Sequence, residues 1–111
     1  MQRRAGGVAP LNCIEGAGGP ALGLIDSASY GNSRTPLELG DWILLFTDGI
    51  EEATDNAGVE FGVSGLAGVL QANLGRPAGE VLDELLAEVS RFTGGAPFAD
   101  DICLVAAELP A

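Results

Sequence analysis

The sequence of 111 residues carries sixteen acidic residues against five arginines, with no lysine and no histidine, for a formal net charge of −11. The missing residue types exclude Ser-His-Asp and Cys-His catalysis, His-ligated zinc, Schiff-base chemistry and a P-loop lysine. The acidity argues against a nucleic-acid partner, because a phosphate backbone needs a basic surface. What remains for chemistry is chiefly carboxylates, which suit hard metal ions.

A hydrophobic fraction of 47% and a mean hydropathy of +0.28 describe a globular chain with the length of one domain. Cys13 and Cys103 each sit in an apolar stretch and read as small buried hydrophobes in a reducing compartment, with a disulfide between them as the less favoured alternative. No apolar run matches a signal peptide or a membrane span, so the expected location is cytoplasmic, away from membranes.

The first 40 residues are rich in glycine. Apolar residues between the turns predict short strands at Val8 to Glu15, at Leu22 to Ile25, and around Tyr30 and Thr35 to Leu39. Trp42-Ile43-Leu44-Leu45-Phe46, bounded by Gly40-Asp41 and Asp48-Gly49, predicts a central strand buried on both faces. Ile50 to Thr54 does not alternate and predicts a short helical turn.

Leu66, Val69, Leu70 and Leu74 follow helical spacing from Ser64 to Leu74, with a stop at Gly75-Arg76-Pro77. Leu82, Leu85, Leu86, Val89 and Phe92 form an apolar stripe from about Ala78 to Thr93. Acids near the start of that helix and Arg91 near its end match the helix dipole. Ile102 to Ala107, directly after Asp100-Asp101, predicts a last buried strand. Strands, two consecutive helices and a final strand make the class α+β, with the helices on one face.

Asp48 ends the central strand and Asp100-Asp101 precede the last one. If those strands are adjacent and antiparallel, three carboxylates converge at one sheet edge, a set of oxygen donors for Mg²⁺ or Mn²⁺. Taken alone, Asp48-Gly49 also reads as a hairpin turn and Asp100-Asp101 as a solvated turn, and both alternatives stand at this point. Asp41 lies seven residues before Asp48, more than about 20 Å along an extended strand, and reads as a turn residue. Glu51 and Glu52 are close enough to Asp48 to support a metal site, but exposed acids at a helix start are the favoured reading. Asp26, Asp55 and Glu60 read as solvated turn residues.

Four blocks carry a resemblance: Leu22-Gly23-Leu24, the run from Leu37 to Ala53 with its Thr47-Asp48-Gly49 core, Phe61-Gly62, and Asp100-Asp101-Ile102-Cys103-Leu104-Val105. From about Gly7 onward the chain resembles the C-terminal half of the PPM-type, metal-dependent serine/threonine phosphatases. The closer likeness is to the bacterial branch related to stage II sporulation protein E and the sigma-factor regulatory phosphatases.

The resemblance implies a four-layer αββα sandwich with a site for two Mn²⁺ or Mg²⁺ ions at one end of its two sheets. It implies that Asp48 and Asp100 are metal ligands, that Asp101 is a weaker third, and that Gly49 and Glu52 support them. It implies hydrolysis of phosphoserine or phosphothreonine by metal-activated water, without a protein nucleophile, on a phosphorylated protein such as an anti-sigma-factor antagonist.

The family's first metal-binding aspartate and its bridging Asp-Gly motif belong to the N-terminal half, and no segment here matches them. Cys103 stands where relatives usually carry Thr. Residues 1–111 are therefore expected to form a single partial domain, inactive alone. The alternative is a non-catalytic association module that retains half of the fold and pairs through an open sheet face, with itself or with a separate N-terminal half.

Overall fold

The computed structural model describes residues 1–4, 7–9, 21–32 and 34–110. Strands β1 (Gln2–Arg4) and β2 (Gly7–Ala9) pair antiparallel, and β3 (Trp42–Phe46) pairs with β1 on one side. After β3 come a short helix α1 (Asp48–Glu51) and two longer ones, α2 (Gly62–Ala72) and α3 (Ala78–Phe92). Strand β4 (Leu104–Glu108) then returns antiparallel to β3, giving the sheet order β2-β1-β3-β4. The class is α+β, and β3 is an inner strand as its apolar run predicts.

All three helices follow the middle strand, so a single helical layer forms on one face of the sheet. Trp42 and Leu44 point into this layer and are fully buried with Ile50, Leu66, Leu70, Val81, Leu85 and Val89. Ile102, Leu104 and Ala106 pack on the same core from the last strand and its approach. An edge-on contact of Phe61 with Phe92, centroids 5.4 Å apart, ties the start of α2 to the end of α3. Beyond α3, Gly94 and Gly95 take positive φ values of 70° and 81°, which end the helix where a side chain would be strained.

Several expectations need correction. Among the described residues the central strand is covered on one face: Leu45 is 60% exposed, and across the ladder its partner Val105 is 50% exposed. Cys103 is likewise exposed, not buried, because the alternation of the last segment turns Cys103, Val105 and Ala107 outward. On α3 the buried line is Val81, Leu85 and Val89, spaced at i, i+4 and i+8, while Leu86 faces outward. Leu22 to Leu24 form a turn instead of a strand, with Leu22 and Leu24 exposed, and 35–38 are not in a strand either. Strand β1, which carries no apolar alternation, forms by pairing with its neighbours on both sides. The expected strand from Val8 lies beyond Ala9 outside the described residues, as does Cys13.

One-sided burial makes a contrast that urea titration can read. Leu85→Ala, at a fully buried site, is expected to lower the unfolding free energy by about 2–5 kcal/mol. Leu45→Ser, on the open face, is expected to change it by no more than about 0.5 kcal/mol. Equal losses would mean that the outer face is covered in solution.

Candidate metal centre

The site grows out of the β3–β4 register. Phe46 pairs with Leu104, so the chain leaves β3 at Thr47 directly beside the segment that enters β4. Thr47 then extends the ladder by one more rung. Its N–H donates to the Cys103 carbonyl at 3.2 Å, while its hydroxyl accepts from the Cys103 N–H at 3.0 Å and donates to the Asp101 carbonyl at 3.1 Å.

Next along the chain, Asp48 and Gly49 open α1. Gly49 is buried, and a Cβ built on it would lie 2.4 Å from the Asp101 carbonyl oxygen and 3.3 Å from that of Asp100. Only a glycine lets the two backbones approach this closely. The Asp-Gly pair therefore starts a helix in place of the hairpin turn that its sequence also allows. Asp100 and Asp101 belong to the loop that Gly49 touches, and the Asp100 carboxylate accepts the Asp101 N–H at 2.8 Å.

Asp48, Asp100 and Asp101 are all exposed at this end of the sheet. Glu51, half buried one helical turn after Asp48, has its carboxyl raised above the usual range, first by burial and then by the adjoining Asp48 carboxylate. Glu52 faces elsewhere: with Gly49, Ala53, Pro97, Phe98 and Asp100 it walls a cavity of about 190 Å³. Thus Glu51, more than Glu52, shares the immediate surroundings of Asp48. The signal for this in the sequence is weak, because the phase of so short a helix is not fixed by any apolar stripe.

Asp41, at the far end of β3, is buried and accepts the Glu38 N–H at 2.9 Å, which closes the turn into the strand as its reading as a turn residue implies. Asp55 likewise organises a turn, accepting the N–H groups of Ala57 and Val59.

The donors gathered here are carboxylate oxygens, which suit Mn²⁺ or Mg²⁺. Among the described residues no group of three His, Cys, Asp or Glu side chains is placed to hold a metal ion. Mg²⁺ is commonly held by one or two carboxylates together with waters and substrate phosphate, so Asp48 and Asp100 stand as candidate ligands. Among the described residues, too, no helix is long and apolar enough to cross a membrane.

The fold and these motifs define the class: an α+β arrangement of the PPM (PP2C-like) phosphatase type. Residues 5–110 match the family model of stage II sporulation protein E, and the chain belongs to that family. Among solved structures, the SiaA-PP2C domain of Pseudomonas aeruginosa is similar, with a TM-score of 0.59 and 28% identity over 67% of this chain. The likeness covers 31% of that structure's chain. No curated protein matches.

The tight contact at Gly49 is open to direct test. Gly49→Ala is expected to cost about 1–3 kcal/mol of stability through overpacking and to displace the amide resonances of residues 100–103. Unmoved resonances there would show that the two loops do not touch.

Proposed function

We propose that this chain carries the C-terminal part of a metal-dependent phosphoserine/phosphothreonine protein phosphatase. The observation that supports this most is the seating of Gly49 on the Asp100–Asp101 backbone, which joins the two acidic motifs of the family. In this reading Asp48 and Asp100 hold Mn²⁺ or Mg²⁺, with Asp101 as a further ligand. Gly49 and Thr47 position them, and Glu51 and Glu52 supply negative charge around them. Bound metal would activate water and stabilise the phosphoryl oxygens, so that no nucleophilic side chain is required.

The substrate class is a phosphorylated protein, and an anti-sigma-factor antagonist fits the branch that the sequence resembles. Residues 1–111 are taken as one partial domain whose remaining metal ligands lie in a partner half.

The purified chain is expected to bind Mn²⁺ weakly and to hydrolyse p-nitrophenyl phosphate little or not at all. Robust Mn²⁺-dependent hydrolysis, lost in Asp48→Asn, would overturn the claim that the site is partial. Within a complete phosphatase domain, Asp48→Asn and Asp100→Asn are each expected to lower kcat more than about 100-fold, since even residues that merely orient ligands cost 10–100-fold. Full activity in both variants would remove the proposed ligand roles.

A second reading, a non-catalytic association module, is favoured by the exposed Leu45 and Val105 pair on the open sheet face. Size-exclusion chromatography with light scattering separates the two. A dimer that Leu45→Glu dissociates, with no response to Mn²⁺, would favour the module.

A further inference from the structure

We propose that the cavity beside the metal-site motifs is a subsite for an arginine or lysine side chain of the substrate, close to its phosphorylated residue. The inference rests on the phosphatase reading and names a determinant of its substrate. The cavity holds about 190 Å³ and is shared between the end of α1 and the loop after α3. That is smaller than the usual small-molecule site and matches a single side chain.

One wall is apolar, built by Ala53, Pro97 and Phe98, and Phe98 is partly exposed. The polar lining is Glu52 and Asp100, both exposed, with the hydroxyl-bearing Thr54 and Thr93. Among the described residues no basic one lines the cavity. Of the five arginines, Arg91 is engaged with Glu84 and Glu88, and Arg76 with Glu80.

An apolar wall with a carboxylate at its rim complements a long cationic side chain. The methylene stem lies along Ala53 and Pro97, the cation meets the Phe98 ring and the Glu52 carboxylate, and no charge is fully desolvated. An acidic side chain would meet only like charge, and a large aliphatic one would leave Glu52 facing apolar surface. Because Gly49 and Asp100 form both the edge of this cavity and the acidic end of the sheet, a peptide could reach both with one short segment.

The test uses the 111-residue chain with Mg²⁺ and amide chemical-shift titrations. The probes are matched short peptides with serine or phosphoserine at the centre, flanked on both sides by arginine, citrulline or glutamate. The arginine peptide is expected to shift Ala53, Phe98 and Ala99, and to bind about five- to tenfold more tightly than the citrulline peptide. Glu52→Gln and Phe98→Ala are each expected to remove most of that preference, and added salt to weaken it.

Equal binding of the arginine, citrulline and glutamate peptides, or a preference intact in both variants, would overturn the subsite. Binding that depends on phosphate but not on arginine would do so while leaving the phosphatase reading in place. Binding that depends on arginine but not on phosphate would support the cation subsite and accord with a partial metal site in this chain. The phosphatase reading itself is tested by Asp48→Asn and Asp100→Asn in a complete domain.

Discussion

The antiparallel pairing of β3 with β4 fixes nearly everything else in the molecule. Five residue pairs, from Trp42 with Glu108 to Phe46 with Leu104, set which side chains face the helices and where each strand ends. Because side chains alternate with a period of two, a slip of one residue would turn Trp42 and Leu44 outward and Leu45 inward. It would also part Thr47 from Cys103 and Gly49 from the Asp101 carbonyl. Core and site therefore share one register. The buried face stabilises it, and the hydrogen bonds of Thr47 carry it past the end of the ladder to the acidic motifs.

The same register produces a sheet with two unlike faces. Trp42, Leu44, Leu104 and Ala106 meet the helices, whereas Leu45 and Val105 sit opposite each other on the outer face. Such cross-strand apolar pairs stabilise a sheet modestly by themselves. A surface of this kind is characteristic of one awaiting cover. Among the described residues the apolar run from Trp42 to Phe46 is covered by helices on one face and leaves Leu45 exposed on the other.

This explains much of what the sequence discloses and what it does not. The inner strand, both long helices and the turn after Asp48 are legible because their apolar spacing and their breakers agree. The phase of α3 is less so: Leu82, Leu85, Leu86 and Val89 fit a stripe, yet Val81 takes the place in the core and Leu86 faces out. Leucine at the margin of a helical face can turn either way, and the packing of α2 decides. Strand β1 depends on pairing with β2 and β3, a tertiary preference that overrides local propensity. In the glycine-rich segment, Leu22 and Leu24 lie in an exposed turn, where alternation with glycine mimics a strand without a partner. Asp48 and Asp100 stand out in the sequence beside two apolar runs, although the last strand starts at Leu104 and not at Ile102, which leaves Asp100 in the loop before it. The nearness of Glu51 to Asp48, by contrast, depends on the phase of a four-residue helix.

At this end of the sheet the backbones meet closely, whereas gathering carboxylates is opposed by electrostatics. Two unit charges 4 Å apart repel by about 1 kcal/mol in water and about 4 kcal/mol near a protein surface. A third carboxylate adds to that repulsion unless a cation or a proton offsets it. The Glu51 carboxyl is raised first by burial and then by Asp48, with smaller contributions from Glu52 and Glu60, so like charge already adds to the cost at this end of the sheet. Backbone contacts carry no such penalty. Gly49 against Asp100 and Asp101, with Thr47 bonded on both sides of the strand gap, can hold the loops in place whether or not a cation is bound. The arrangement is thus fixed by backbone contacts, where fixing costs little, and not by bringing like charges together.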